Sequence, residues 1–392
     1  MQQLQSVGGV QRVVASLMNE IVRTTENEVF IISPNRGIQY SEKYFDIDKS
    51  IKIVPLENFE CKKSILRRFV AKYIKKINSQ TSIFSAKFFV PMIDSLYFPA
   101  KQMDLYKQFV IDNKIDVIVG ANPLYSCLAA KISRATNIRC ISWLHSTYTA
   151  YFEIKSTPFY GLHNLFGRYI EDFYKILVLT SKDKDDFEKK FNEKSKFEVF
   201  YNPTTLKANK ISSLDANKLL FVGRLNNKTK GIDLLLEVAK KLYESKLNFT
   251  LDIVGSGSSE FMSWATNTIK RYGLERTVTL RGASNSVQDY YEKASLLLVT
   301  SRQEGFGLVI TEAMAHGVPV LAFHAYGPDE IIENGKNGYL IDKYDTDAYA
   351  EKVLELLSNK EKLEAFSKAA INRAKDFEIQ KSVIDFIDII SK

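Results

Sequence analysis

Leu296–Leu321 reads LLLVTSRQEGFGLVITEAMAHGVPVL. An apolar run ends at Thr300, a glycine-bearing loop follows, a helix is expected from near Gly307, and a second apolar run starts at Val318. Apolar strand, helix and apolar strand make a parallel unit buried on both faces. The loop then lies at the carboxyl edge of the sheet, where open α/β sheets bind ligands. The backbone N–H groups of Gly305, Phe306, Gly307 and Leu308 would be the orphan donors of a helix N-terminus, suited to phosphate or sugar oxygens. Glu304 sits in the loop and Glu312 about two turns further on, a spacing that reaches opposite ends of one elongated polar ligand. Taken singly, each reads equally well as a capping or helix-surface acid.

Working outward, short β-branched runs alternate with amphipathic helical stretches along the whole chain. Strands are expected at Glu28–Ser33, Lys52–Val54, Asp116–Gly120, Arg139–Leu144 and Ile176–Thr180. In the second half they fall near Leu219–Val222, Thr250–Val254, Val278–Leu280, Leu296–Thr300, Val318–Ala322 and Tyr339–Ile341. In Val10–Arg23, the residues Val10, Val13, Val14, Leu17, Met18 and Ile21 line one face of a helix. Two doubly wound α/β domains account for this pattern. The seam is expected near Asn202-Pro203, where a strand-like run gives way to Pro, Thr, Ala, Asn and Ser. The reading is an N-terminal domain over 1–205, a C-terminal domain over 206–375, and a tail over 376–392 that forms a helix packing back towards the N-terminal domain. Val383, Ile384, Phe386, Ile387 and Ile390 are its apolar residues.

The bulk properties agree. At 392 residues, 45% hydrophobic and 26% charged, the chain is globular and long enough for two domains. No apolar run reaches the length of a membrane span or signal-peptide core, so a cytoplasmic protein is expected. Cys61, Cys127 and Cys140 lack metal-ligand spacing and read as free thiols. A net charge of +8 suits a protein that meets phosphates or anionic lipid. The charge is unevenly spread: between Cys61 and Ile93 there is no Asp or Glu, while Lys62, Lys63, Arg67, Arg68, Lys72, Lys75 and Lys76 crowd the first part.

Upstream of the Glu304 loop, Phe221-Val222-Gly223-Arg224-Leu225 ends a strand and Lys230-Gly231 opens the next helix. Arg224 offers a planar fork and Lys230 a point charge, the cations a diphosphate needs in a site without metal. With the Glu-x7-Glu pair inside EGFGLVITEAMAHGVPV, the VGRL…KG segment makes Leu219–Asp342 resemble glycosyltransferase family 4 of the GT-B fold. The resemblance implies two Rossmann-like domains facing a central cleft and closing over a nucleotide-sugar donor. It also implies roles: Arg224 and Lys230 bind the donor diphosphate, Glu304 the sugar hydroxyls and Glu312 the ribose hydroxyls. The strand end at Arg281-Gly282 meets the base through backbone groups. Gly8-Gly9-Val10-Gln11-Arg12 is similar to the family's glycine-rich loop, which faces the donor phosphate. His145, at the end of Arg139–Leu144, stands where the family often carries a His near the reacting carbon. In the family a strand normally precedes the Gly-Gly loop, and only seven polar-leaning residues do so here. Either an upstream strand is expected or the N-terminal sheet is built differently.

The resemblance further implies retention of anomeric configuration; no metal is expected, because Arg224 and Lys230 take the role a cation would otherwise fill, and no cofactor is expected. The expected function is transfer of a hexose, most commonly from a UDP-sugar, to a saccharide or polyprenyl-linked acceptor. The Lys/Asn/Ile-rich composition hints at bacterial surface polysaccharide or teichoic acid assembly; no nucleic-acid partner is expected. Three rivals are weaker. Gly255-Ser256-Gly257 has Glu260 where a dinucleotide fingerprint needs its third glycine. The Asp-x-Asp pairs starting at Asp46, Asp183 and Asp345 lie away from the Glu304 loop and read as solvated or capping acids. A non-catalytic GT-B protein serving as a binding or chaperone subunit would not need Arg224, Lys230, Glu304 and Glu312 together. Finally, the apolar residues Ile65, Leu66, Phe69, Val70, Tyr73, Ile74 and Ile77 recur among those basic residues. Residues 62–77 are therefore a candidate basic amphipathic helix that would lie on an anionic membrane surface, making the protein peripheral on the inner face of the plasma membrane. The alternative reading packs its apolar face on the N-terminal sheet.

Overall fold

The structure, a computed structural model, describes residues 8–33, 46–60, 65–155, 157–214 and 217–391, and within these the side chains of residues 65–68 and 71 are not described. Cys61, Lys62 and Lys63 lie outside the described residues, as do the side chains of Ile65, Leu66, Arg67 and Arg68. The chain divides into two compact units, Met1–Tyr201 with Ser382–Lys392, and Asn202–Lys381.

All strands in both units pair in parallel. In the N-terminal unit, β1 (Phe30–Ser33) pairs with β2 (Lys52–Pro55). A second sheet runs in the order β3 (Val117–Gly120), β4 (Arg139–Trp143), β5 (Lys175–Val178) and β6 (Phe197–Val199). The strands thus form two sheets among the described residues, of two and four strands, rather than one. In a doubly wound order, β1 and β3 are the strands that would flank one preceding Gly8-Gly9. Each has one edge without a strand partner among the described residues, and Val119 on β3 is 37% exposed. The helix Gly9–Thr24 buries Val13, Leu17 and Ile21, the face that its periodicity predicts. The core of this unit gathers Phe59, Tyr106, Phe166, Phe173, Ile176 and Phe187.

The tail helix Ile379–Ser391 returns the chain to this unit. Phe386 packs its ring on Trp143 and Phe200, and Arg139 donates to the carbonyl of Ile390. Ile384 is a correction to the apolar face read from sequence: it is 69% exposed, and Ile389 is buried instead.

The C-terminal unit has one six-stranded sheet in the order β12 (Gly338–Ile341), β11 (Val320–Phe323), β10 (Leu296–Val299), β7 (Lys218–Val222), β8 (Thr250–Val254) and β9 (Val278–Gly282). The chain winds outward from β7 to β9, then returns to β10 beside β7 and winds the other way to β12. The order therefore reverses between β7 and β10, and the crevice at their carboxyl ends is the topological switch point. Helices such as Ile232–Glu244 and Thr346–Leu357 cover the sheet and bury Leu235, Leu242, Tyr349 and Val353 against it.

Candidate donor site at the sheet switch point

Two loops leave the carboxyl ends of β7 and β10. The first carries Gly223, Arg224 and a short helix, Asn227–Lys230, whose N-terminus is capped by the Asn226 side chain accepting from Thr229 N at 2.7 Å. Gly231 ends that helix with φ +63°, and a Cβ there would lie 2.2 Å from the Thr300 carbonyl oxygen, at the end of β10. Only glycine allows both the backbone angle and this approach. Thr300 Oγ1 in turn donates to the carbonyls of Lys230 (3.2 Å) and Gly231 (3.0 Å). The amides of Arg302 and Gln303 donate to Thr229 O at 2.8 and 3.1 Å, and the Arg302 guanidinium forks onto Asp233 with both bonds at 2.7 Å. The two loops are thus one knit structure.

Onto this frame the fold places a charged pair. Lys230 Nζ donates to Glu304 Oε2 in an ion pair, and Ser301 Oγ donates to the same oxygen at 3.1 Å. Both of these bonds go to Oε2, and Glu304 Oε1 accepts no hydrogen bond from the described residues. A Cβ on Gly223 would lie 3.7 Å from Lys230 Cε, and one on Gly307 3.2 Å from Glu304 Cγ, so both acidic and basic chains run over glycine backbone. Arg224 is exposed at the end of β7, with no ion-pair partner among the described residues. A free guanidinium, an ammonium and a half-occupied carboxylate at one switch point can hold a diphosphate and a polyol together.

The helix Leu308–Ala315 starts at Gly307, whose φ of +93° puts it in the left-handed region. Gly305 and Leu308 are half-buried, whereas Phe306 is 3% exposed with its ring edge-on to Phe377. Its side chain therefore faces the core, and only its backbone is placed for a ligand. Glu312 is also buried, at 1% exposure, and its carboxylate accepts from Thr205 Oγ1 and from Tyr291 OH, each at 3.1 Å. Arg281 is spoken for by Asp252 across β8 and β9 at 2.6 Å, and the Gly282 carbonyl accepts from Gly255 N at 2.8 Å.

In the N-terminal unit, Gly8 caps and Gly9 opens the first helix, which has no acidic residue in its first turn. His145 lies two residues past the end of β4; its amide donates to Tyr151 OH at 2.9 Å and its ring lies 4.4 Å from that of Trp143. Burial pushes the Tyr151 phenol upward, so it stays protonated there. The other histidines have structural partners. His163 stacks on Phe191, His316 bonds the Glu312 carbonyl, and His324 bonds Asp329. Burial raises the thiols of Cys127 and Cys140, the latter to about 11, which leaves both unreactive. Asp345 caps the helix Thr346–Leu357 and Asp183 lies buried under Thr180, so neither is part of this site. No group of three or more potential metal ligands occurs among the described residues, and none of their helices is long and apolar enough to cross a membrane.

Sequence reasoning missed Ser301, Thr205 and Tyr291. Ser301 carries a readable signal, standing three residues before Glu304 in the same loop. Thr205 and Tyr291 carry none, because only the tertiary fold brings them to Glu312.

Comparison with known proteins agrees with this geometry. Residues 204–373 match the family of glycosyl transferases group 1. The chain is 27% identical over 390 residues to an uncharacterised glycosyltransferase of Haemophilus influenzae, covering 98% of this chain and 97% of that one. It is 39% identical over 132 residues to the poly(ribitol-phosphate) alpha-N-acetylglucosaminyltransferase of Staphylococcus aureus, covering 33% of this chain and 26% of that longer protein. In fold it is similar to Anabaena HepE, solved in complex with UDP, with a TM-score of 0.73, 17% identity, and 98% and 97% of the two chains covered. The C-terminal unit is thus a group 1 glycosyltransferase domain, and the chain is a glycosyltransferase of the GT-B fold.

Proposed function

We propose that the chain is a retaining, metal-independent hexosyltransferase that uses a UDP-sugar and serves bacterial surface polysaccharide or teichoic acid assembly. The observation that carries this reading is the Lys230–Glu304 pair beside the exposed Arg224 at the switch point. Arg224 and Lys230 hold the donor diphosphate, Glu304 takes sugar hydroxyls on Oε1, and Glu312, braced by Thr205 and Tyr291, faces the ribose. The backbone of Gly305–Leu308 and of Arg281-Gly282 completes the donor contacts. For His145, Gly8 and Gly9, the proposed places at the reacting carbon and donor phosphate rest on the sequence resemblance alone.

In the proposed step the bond from the anomeric carbon to the diphosphate oxygen breaks as the acceptor oxygen bonds to the same face of that carbon. The acceptor proton passes to the departing diphosphate, so no covalent enzyme intermediate is needed. Catalysis comes from placing Arg224 and Lys230 where negative charge grows on the leaving group. The alpha linkage in the name of the S. aureus relative supports retention, and UDP in the HepE complex supports the choice of base. The acceptor is a saccharide or a polyprenyl-linked sugar, the latter met at the inner face of the plasma membrane. Incubation with a panel of nucleotide sugars, with and without saccharide acceptors, tests this. Release of UDP and an α-configured product by NMR is expected; a β-product, or no turnover of any nucleotide sugar, overturns it.

A further inference from the structure

The helix Ile65–Thr81 is seated by one narrow face. Ile74 packs on the N-terminal core, Asn78 is buried and donates to Gly161 O at 3.2 Å, and Lys75 lies over the Tyr97 ring at 3.9 Å. The flank turned away from that face is apolar. Phe69, Tyr73 and Ile77, at four-residue spacing, are 54%, 63% and 40% exposed, and Val70 is 47% exposed. The turns that follow add Ile83 at 60% and Phe88 at 87%. They belong to a held loop: Ser85 Oγ donates to Gly161 O at 2.7 Å, and Asn164 Nδ2 to Ser85 O at 2.7 Å. Six of the thirteen exposed large apolar side chains among the described residues thus fall within twenty positions of chain, a concentration that marks an interaction surface.

The charges around it select the partner. Lys72, Lys76 and Lys87 are exposed among these side chains. No acid occurs from residue 62 to residue 92, and the next one, Asp94, is buried and engaged by Lys131 and Tyr169. A second copy of this chain would oppose the same uncompensated positive charge, which disfavours self-association. A surface of phosphate headgroups over an apolar interior matches both components at once.

We propose that Phe69, Tyr73, Ile77, Ile83 and Phe88 form a docking surface for an anionic lipid bilayer. The apolar side chains enter the acyl boundary, and Lys72, Lys76 and Lys87 meet lipid phosphates. The surface extends past the helix read from sequence, and Ile83 and Phe88 are its most protruding members after the helix ends. The proposal bears on the acceptor side of the function above without depending on the donor reading.

Flotation with vesicles of phosphatidylcholine alone, and of phosphatidylcholine with phosphatidylglycerol, tests it, with UDP-sugar turnover on a soluble acceptor measured in parallel. The wild-type chain is expected to float with the anionic vesicles at low salt and to be released by high salt. Ile83→Asp with Phe88→Asp, and separately Lys72→Gln with Lys76→Gln and Lys87→Gln, should each weaken partitioning roughly tenfold or more. Their melting temperatures and soluble turnover should stay at the wild-type level. Equal binding to both vesicle types, no binding at low salt, or binding untouched by both variants overturns the proposal. So does a dimer in light scattering that dissociates on Phe88→Asp, which would assign the surface to a second copy. Vesicle binding is read independently of turnover, so a failed transferase assay leaves its result intact.

Discussion

Lys230 and Glu304, 74 positions apart in the chain, form an ion pair that bridges the carboxyl ends of β7 and β10. Their side chains retain 21% and 12% exposure, which puts the pair between the screened surface case and the fully desolvated one. In the proposed function a diphosphate competes with Glu304 for the ammonium, and the carboxylate so released turns to sugar hydroxyls. Without donor, each partner neutralises the other.

That pairing separates two cations with the same proposed role. Arg224→Ala and Lys230→Ala should each lose roughly 10²–10³ in rate, by analogy with one lost oxyanion donor. Only Lys230→Ala should also lower stability, by about 1–3 kcal/mol, because Glu304 keeps its half-buried carboxylate and loses the cation. Arg224 is exposed and unpaired among the described residues, so its removal should leave melting unchanged. Turnover and thermal melting of both variants check this. A rate loss under about tenfold in both would put the diphosphate elsewhere.

The two glutamates should part in a different way. Glu304→Gln should impair turnover and leave UDP affinity nearly intact, since its free oxygen is assigned to the sugar. Glu312→Gln should weaken UDP, and Tyr291→Phe should do so more mildly, costing about 1 kcal/mol for one hydrogen bond to the carboxylate. Calorimetry with UDP decides; the reverse pattern would exchange the assignments of the two residues.

Eleven of the twelve strands among the described residues were read as strands, and β6 as a strand-like run, because each is a short β-branched or apolar run closed by polar or glycine-bearing residues, as in Leu296–Thr300. The Glu304 loop and the Arg224 segment stood out only in combination and through the family resemblance, because taken singly each charge reads equally well as a capping or surface residue. What stayed hidden was long-range. Nothing local says that Lys230 will meet Glu304 or that Thr205 and Tyr291 will brace Glu312. The helix Ile65–Thr81 shows a further limit: its apolar residues announce an amphipathic helix, but periodicity cannot say whether that face is covered. Here Ile74 is packed while Phe69 and Tyr73 are exposed.

Transfer should survive chelation. With Arg224 and Lys230 on the diphosphate, the charge a divalent cation would supply is already present. Product formation measured with excess EDTA should match the untreated rate, and activity lost to EDTA and restored by Mn²⁺ would refute the assignment.

Acid should unpick a cluster far from the donor loops. Glu355 accepts from Lys352 at 2.7 Å, from Lys362, and from Tyr339 OH at 2.6 Å. The Lys352 bond, then Lys362 and Tyr339, depress its carboxyl from 4.5 to about 2. A carboxyl lowered on folding stabilises the protein at pH above its unfolded value, and that contribution is lost as pH falls through the folded one. Glu355→Gln should therefore lower the melting temperature at neutral pH, with the gap to wild type closing between about pH 5 and pH 2. A gap independent of pH would mean that packing, not charge, accounts for it.

Gly231 offers the sharpest test of the frame beneath the site. Its φ of +63° suits glycine, and a Cβ would sit 2.2 Å from the Thr300 carbonyl, which is backbone at the end of a central strand and cannot swing aside. Gly231→Ala must therefore push the loop after β7 away from β10, breaking the Thr300 hydroxyl bonds and moving Lys230 off Glu304. Because strain at a special backbone angle and a close contact add here, a stability loss of about 2–4 kcal/mol is expected. Activity should fall with it, in KM for the donor as well as kcat, since both cations shift together. Gly273→Ala is the control: its φ is +70° but nothing lies within 4 Å of the added Cβ. That variant should show the backbone cost alone and keep its donor KM. If the two glycine variants lose stability equally and both keep normal KM, the contact with Thr300 does not position the site.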